Sequence, residues 1–316
     1  MRKARAEMDN STQAKGFCRS KVNAVQEDWD AITSWSQFEE AIKELKCDWN
    51  QGKMTNWSFR GEGTWCNAIE SSLEKAAIQN DIALTKLYDD RIEQGLIRRF
   101  KRDFARMPHY QPESGDHMAW LAIMQHHGAP TRLVDISYSI YIALYFALWR
   151  YKAENECAVW CFSNEWLNAA WDSQSSLSYK SEYKRDTEGR YYELFRIVLQ
   201  TRKAGVYLLN PYNPPERLIL QQGGFIIPLD IGKSFMDNLF SMPIDPKAKS
   251  RKHKWDHRVV RLKICLSKGD LQDVRYKLAR MNINNATLFP GIDGFSRSLY
   301  DYIPFDILRS GKKKGF

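Results

Sequence analysis

The chain has 316 residues, 43% of them hydrophobic and 27% charged, and this balance excludes a disordered or fibrous protein. Its length supports a full hydrophobic core in one large domain or two smaller ones. The net charge of +9 favours anionic partners, nucleic acid among them.

No segment of the sequence has the character of a membrane anchor. The longest apolar run, Ile140–Trp149, is far shorter than the ~20 residues that a bilayer-crossing helix needs. The first residues, MRKARAEMDNSTQAKGF, are basic but lack the apolar stretch of a signal peptide. We therefore expect a cytoplasmic protein, with residues 1–27 as a flexible polar segment.

A helix and a strand are the first predicted elements. Ser36 and Glu39 have the spacing of a capping box, and apolar residues follow on one helical face. Residues 56–63, NWSFRGEG, are aromatic and end in glycines, which predicts a strand running into a turn.

Helical patterns dominate the next part of the chain. An apolar stripe predicts helical structure over residues 67–106. A further helix ends near Gly128, because Pro130 prevents its continuation. After a short strand over 131–135, the run IYIALYFALW is apolar on nearly all sides and predicts a buried helix.

The second half of the chain is richer in strands. Strands are predicted at residues 157–162, 223–229 and 259–266, and a short amphipathic helix is predicted at residues 271–281. The polar stretches 172–190 and 233–256 are expected to form surface connections. We see no linker, and so predict one domain over residues 28–305 and a basic tail over 306–316.

Cysteines and basic residues suggest neither a metal site nor a nucleic-acid platform. Cys157 and Cys161 share one face of a predicted strand without further zinc ligands, so we expect buried thiols and no metal. The basic clusters at residues 98–106, 247–254 and 312–314 do not interleave with aromatic residues. We expect solvated faces there, with nucleic-acid binding as a less favoured alternative.

Five sequence blocks occur in the order that is typical of one family. They are the first helix, WSFRGEG, MAWLAIMQHHGAPTRLVDISYSIYIALYFAL, RLILQQGGFIIP and NINNATLFPGIDGFSRSL. Over roughly residues 35–300 the chain therefore resembles the FRG domain family, which is named after the tripeptide Phe59-Arg60-Gly61. Ile136 stands where the family pattern usually has tryptophan.

The blocks also bear a fainter resemblance to mono-ADP-ribosyltransferases. This resemblance implies an α+β fold, a single mixed domain in which two small, mostly antiparallel sheets form a cleft with packed helices. It implies that NAD binds in the cleft, held by Arg60, with the turn Ser137-Tyr138-Ser139 under the nicotinamide ribose. A glutamate would stabilise the positive charge that develops on the ribose as nicotinamide leaves.

The position that this resemblance assigns to the glutamate holds Arg217, and Glu216 is one residue away. Glu216 is therefore the predicted catalytic carboxylate. Because side chains alternate along a strand, it reaches the cleft only if a bulge intervenes. Gln222 offers an amide to the ligand but not the charge of a carboxylate.

Arg60 and Gly61 are predicted to bind the ligand. A guanidinium binds phosphate in a bidentate manner, and glycine allows close approach. The alternative for Arg60 is a structural salt bridge that closes the turn. Arg132 and Asp135 are also assigned to the binding site, although a buried structural pair is the favoured interpretation, with Asp135 as the partner of Arg60 or Arg132.

His126 is the second predicted catalytic residue. It lies at a helix C-terminus, whose dipole favours the protonated imidazole and so raises the pKa. It would act as a general acid or base or contact a phosphate, unless it only caps the helix. Ser137 and Ser139 are predicted to contact the ligand, and Ser139 also to cap the buried helix.

The favoured function is recognition of NAD or another small nucleotide by an ADP-ribosyltransferase-like domain. Its acceptor would be an unidentified protein or nucleic acid, and its role that of an effector in bacterial or phage conflict. The main alternative is a non-enzymatic module that binds a small molecule or a protein. No membrane partner and no metal are expected.

Overall fold

The computed structural model describes residues 19–23, 25–45, 57–66, 68–106, 112–149, 151–174, 199, 201–211, 214–244 and 258–300. No helix within these ranges is both long and apolar enough to cross a bilayer. The predicted basic tail 306–316 and the basic clusters 247–254 and 312–314 lie outside the described residues.

Eight strands form one sheet. They are β1 (Arg19–Lys21), β2 (Gln26–Ile32), β3 (Trp57–Glu62), β4 (Val134–Ser137), β5 (Cys157–Ser163), β6 (Val206–Leu209), β7 (Gly223–Pro228) and β8 (Val259–Ile264). Their spatial order is β1-β2-β8-β5-β3-β4-β7-β6. Neighbouring strands run antiparallel except β2 and β8, which are parallel.

Helices surround this sheet. They are α1 (Trp35–Glu44), α2 (Ser72–Gln79), α3 (Leu84–Asp89), α4 (Ile92–Phe104), α5 (His117–His126), α6 (Ile140–Leu148), α7 (Asn164–Gln174), α8 (Glu216–Leu220), α9 (Phe235–Phe240), α10 (Lys268–Arg280) and α11 (Asn285–Leu288). Residues 292–300 are also helical. The fold is therefore α+β, as the sequence predicts.

Strand β5 forms the centre of the core because both of its faces are apolar. All of its residues are buried, and alternate side chains enter two different hydrophobic clusters on opposite faces of the sheet. Cys157 and Cys161 enter the same cluster, which confirms them as buried thiols. Burial and the neighbouring Cys265 raise the pKa of Cys157 to about 12, so this thiol is unreactive at neutral pH.

The sheet differs from the two small sheets that the sequence predicts. Within the described residues the strands form one sheet, but β3 and β4 pair only through Phe59 and Ser137. By contrast, β3 pairs with β5 along its whole length, from Trp57 to Glu62. Strands β3 and β4 therefore separate beyond one residue pair, and the expected cleft opens within a sheet rather than between two.

Several boundaries also differ from the predicted ones. Helix α1 is capped by Ser34, whose Oγ accepts a hydrogen bond from the main-chain N of Gln37, and not by Ser36. Strand β1 and the first residues of β2 precede residue 28, so the sheet begins within the predicted N-terminal segment. Helix α9 lies inside the stretch 233–256, where its buried apolar residues pack on the sheet.

Gly61 allows helix α6 to lie directly on strand β3. A Cβ atom at this position would stand 1.9 Å from the main-chain O of Ala143 and 2.6 Å from the main-chain N of Ala147. No side chain fits at such distances, because the obstructing atoms belong to the helix backbone. The need for glycine at position 61 is thus explained by the close approach of the α6 backbone, rather than by the close approach of the predicted ligand.

We predict that Gly61→Ala lowers the free energy of unfolding by ~1–3 kcal/mol or more, because overpacking usually costs an amount of this size. Gly63→Ala is the matched control, because its Cβ would meet the nearest atom, the main-chain O of Ala147, at an ordinary 3.9 Å. Urea denaturation measures both variants. Equal stability of the two would contradict the proposed contact between α6 and β3.

Candidate functional site

A cavity of about 660 Å³ opens where β3 and β4 separate. The ends of α5 and α6, helix α8 and the helical residues 292–300 complete its walls. Its size is in the range of small-molecule sites. The lining carries charges of both signs together with aromatic rings.

Arg60 bridges the gap between the two separating strands. Arg60 and Glu62 are two residues apart on β3, so their side chains lie on one face of the sheet. Arg60 Nε donates to Glu62 Oε1 (2.6 Å), and Arg60 Nη1 donates to the main-chain O of Asp135 on β4 (2.8 Å). Burial lowers the pKa of Arg60, but the charges of Glu62 and Asp135 outweigh it and raise the pKa.

The carboxylate of Asp135 is exposed at the cavity, and one of its two oxygens accepts a hydrogen bond from the protein. Gln125 Nε2, near the end of α5, donates to Asp135 Oδ2 (2.7 Å). The amide of Gln125 is oriented because its Oε1 accepts from Thr131 Oγ1 (2.6 Å) and Ser72 Oγ (3.3 Å). Asp135 Oδ1 accepts no hydrogen bond from the described residues, so it is available to a ligand.

Arg217 and Arg297 bring two further positive charges to the lining. The guanidinium carbon of Arg217 lies 4.3 Å from the ring centroid of Phe289. Burial lowers the pKa of Arg217, Asp135 opposes that change, and the charge of Arg297 lowers the pKa further. Arg217 therefore lies near both the carboxylate and the second arginine.

Aromatic rings form one wall of the cavity. Phe146 and Trp149 both line it, with ring centroids 6.1 Å apart and planes at 5°. Phe289 meets Trp149 edge-on, with centroids 4.7 Å apart. Ile136 lines the cavity where the family pattern has tryptophan, so the aromatic surface comes from the end of α6.

His126 lines the cavity, but its pKa moves in the direction opposite to the predicted one. Burial lowers the pKa of His126 below its ordinary value of 6.5, and the charges of His127 and Arg217 lower it further. The prediction depended on the helix dipole and took no account of burial or of these neighbouring charges. His126 is therefore neutral at pH 7.

Glu216 does not line the cavity. It is the exposed first residue of α8, where a strand residue was expected, and Arg217 occupies the cavity side of that helix. Successive helical side chains point about 100° apart, so the two residues face different directions. The structure thus places Glu216 outside the cavity, and among the described residues the carboxylates that line it are Glu62 and Asp135.

Arg132 belongs to the core rather than to the cavity. It is 1% exposed, and its Nε donates to Glu93 Oε1 (2.7 Å) while Nη2 pairs with Glu93 Oε2. The structural interpretation of Arg132 holds, but its partner is Glu93 on α4, not Asp135. A charge so deeply buried is retained only with such a partner.

The remaining predicted residues hold the turn between β4 and α6. Ser137 lines the cavity, but its Oγ donates to the main-chain O of Gln221 (2.8 Å) and accepts from the main-chain N of Ser139 (3.0 Å). Ser139 caps α6, as predicted, and is not among the lining residues. Gln222 is exposed with a φ of 46°, and its neighbour Gln221 lines the cavity instead.

Sequence reasoning missed Glu62, Gln125 and Arg297 as lining residues. The alternation of β3 was a sufficient signal for Glu62, because it is two residues from Arg60. The family motif includes Gln125, but its position gives no reason to expect a hydrogen bond to Asp135. No local sequence pattern around Arg297 indicates that its helix, far along the chain from Arg60, places this side chain at the cavity.

Metal and nucleic-acid sites gain no support from the described residues. Within those ranges, no three His, Cys, Asp or Glu side chains lie in a cluster able to hold a metal ion. Among the basic residues 98–106, most side chains are exposed on α4, away from the cavity, as expected of a solvated face.

Comparison with known proteins identifies one family. The FRG domain model matches residues 55–156. That span contains Arg60, Glu62 and Asp135, and it does not contain Arg217 or Arg297. No curated protein and no solved structure matches the chain.

We predict that Arg217→Met raises the pKa of His126, because one of the positive charges that lower it is removed. The pKa stays below 6.5, since burial is the largest cause of the shift. An NMR titration of the imidazole resonances, assigned with His126→Gln, measures the change. Arg99→Met, on the exposed face of α4, should leave the titration unchanged. An unchanged or lower pKa in Arg217→Met would refute the described electrostatics.

Proposed function

This chain contains an FRG domain, and from that premise we propose that its cleft recognises NAD or a related nucleotide as an ADP-ribosyltransferase-like domain. The observation that carries the proposal is the convergence, in one cavity, of arginines, two carboxylates and an aromatic wall. A nucleotide presents groups that match all three, namely phosphates, ribose hydroxyls and a planar base.

The contacts of each group support this assignment. Guanidinium groups bind phosphate oxygens through charge-assisted hydrogen bonds. The free Oδ1 of Asp135 is an acceptor for a ribose hydroxyl, and the surface of Phe146 and Trp149 is suited to stacking with a base. The fixed Gln125 amide keeps the Asp135 carboxylate in place before the ligand arrives.

Asp135 is also the residue that we assign to the chemistry. In ADP-ribosyl transfer the bond between ribose C1′ and the nicotinamide nitrogen breaks, and nicotinamide leaves with the bonding electrons. The ribose then carries positive charge until an acceptor hydroxyl or amine attacks C1′ and releases its proton to solvent. A carboxylate beside C1′ stabilises that charge. Glu62 is less suited, because Arg60 already neutralises it. Such chemistry suits the predicted effector role in bacterial or phage conflict.

One observation favours the alternative of a non-enzymatic binding module. Arg217 enters the cavity at the sequence position where the resemblance expects the catalytic glutamate. A positive charge there disfavours a cationic transition state in its vicinity. Under this alternative the same cavity binds the nucleotide without cleaving it.

The first test is ligand binding. We predict that the wild-type chain binds NAD and ADP-ribose, and that Arg60→Ala weakens both by ~1.5–3 kcal/mol because it removes the charged hydrogen bonds that hold Glu62 and the main chain of Asp135 in place. Isothermal titration calorimetry gives the affinities, and Arg99→Ala, which removes an exposed arginine, is the control. Absence of binding to the wild-type chain, or equal affinity in Arg60→Ala, would refute nucleotide recognition at this cavity.

The second test separates the transferase from the binding module. We predict that Asp135→Asn slows nicotinamide release from NAD about 10²–10³-fold, which corresponds to a lost transition-state contact of ~2.7–4 kcal/mol. Glu216→Gln, the matched change at a carboxylate outside the cavity, should keep wild-type turnover. Chromatography of released nicotinamide measures all three proteins. NAD binding without any turnover would establish the binding module instead.

A further inference from the structure

Two arginines that line the cavity lack the carboxylate partners that Arg60, Arg132 and Arg261 have. Arg60 pairs with Glu62, Arg132 with Glu93, and Arg261 with Asp28. Arg217 and Arg297, by contrast, form no salt bridge or hydrogen bond with any described residue, although both line the cavity. Both positive charges line the cavity without an ion pair to a described residue, although the charge of Asp135 partly offsets that of Arg217.

This arrangement costs free energy in the absence of an anion. Arg217 is half-buried, and burial lowers its pKa; the charge of Asp135 opposes this change, and the charge of Arg297 lowers the pKa further. Arg297 is exposed, so water screens part of the repulsion between the two like charges, but the half-buried Arg217 still experiences some of it. An anion between them would relieve the repulsion and replace the lost solvation.

The position of Arg217 leaves its donors free for such an anion. Its guanidinium lies over the ring of Phe289, and Gln221 Nε2 ties the C-cap of α8 to the main-chain O of Leu288 (3.0 Å). Contact with a ring occupies a face of the guanidinium, while the N–H donors point outward in its plane. The side chain is thus held in place with its hydrogen-bonding fork unused.

Arg60, unlike Arg217, uses its hydrogen-bond donors within the protein. Two of its donors are taken by Glu62 and by the main-chain O of Asp135, and the charge of Glu62 offsets its own. It therefore joins β3 to the main chain of β4 at Asp135 and orients the carboxylate of Glu62. These contacts describe a positioning residue more closely than a phosphate-binding one.

We infer that Arg217 and Arg297 form the phosphate subsite of the cavity and select ligands with two adjacent negative charges, such as a diphosphate, while Arg60 positions Asp135. The inference rests on the proposed nucleotide function. It assigns ligand selection to residues outside the 55–156 span that matches the FRG domain. The FRG span then supplies the carboxylates and the aromatic wall.

The test compares ligands that share adenosine and differ in charge. Adenosine, AMP and ADP-ribose are titrated by calorimetry into the wild-type chain, Arg217→Met and Arg297→Met, with Arg99→Met as the control for net charge. Each cavity variant should bind ADP-ribose about 10- to 100-fold more weakly, the usual effect of losing a charged hydrogen-bonding partner. Adenosine affinity should change less than about twofold, and AMP should lie between.

Three further variants separate a lost contact from a lost fold. Arg217→Lys and Arg297→Lys keep the charge but lose the bidentate fork, and should retain part of the ADP-ribose affinity. Arg60→Met should weaken adenosine and ADP-ribose by similar factors, since a positioning residue acts on both. Circular dichroism checks that each variant is folded.

The outcomes distinguish this inference from the proposed function. If the wild-type chain binds ADP-ribose and the Arg217 and Arg297 variants bind it equally well, the phosphate subsite is refuted and nucleotide recognition stands. If inorganic pyrophosphate, titrated in the same way, binds the wild-type chain through these arginines and no nucleotide binds, the subsite stands and the proposed function is refuted. An Arg60→Met defect that grows with ligand charge, without a defect in the other two, would overturn the inference.

Discussion

The cavity depends on the separation of β3 and β4 after one residue pair. If these strands paired throughout, their main-chain groups would satisfy each other and the sheet would close over the space. Instead, Arg60 spans the gap and supplies a hydrogen-bond donor to the main-chain O of Asp135. The arginine thus satisfies an acceptor that the ladder leaves open, and in doing so it fixes the width of the site.

Packing behind the site holds this opening in place. Gly61 lets the backbone of α6 contact β3, and the hydroxyl of Ser137 links the turn before α6 to the main chain of Gln221. Helix α6 in turn carries the aromatic wall at its C-terminal end. These contacts connect the separation of the strands to the start of α6 and to the aromatic surface at its end. A change at Gly61 should therefore affect all three.

Charge is divided between two parts of the chain. The residues that match the FRG domain contribute Glu62 and Asp135, and the later residues contribute Arg217 and Arg297. This division explains why the family tripeptide by itself does not reveal a ligand: its arginine is largely committed to its own neighbours. It also favours a ligand with an anionic part and a hydroxylated part, which is the chemical character of a nucleotide.

The sequence by itself determined the buried strand β5 and the capped apolar helix α6, because both follow from local periodicity and capping over a few residues. The resemblance to known families added the α+β class and the placement of Arg60 near Asp135 and Ser137. The sequence did not determine that Glu216 would face solvent, because a short helix replaced the expected strand there. Nor did it reveal the partner of Arg132 or the arrival of Arg297 in the cavity. Those outcomes depend on contacts between segments far apart in the chain, which only the tertiary structure decides.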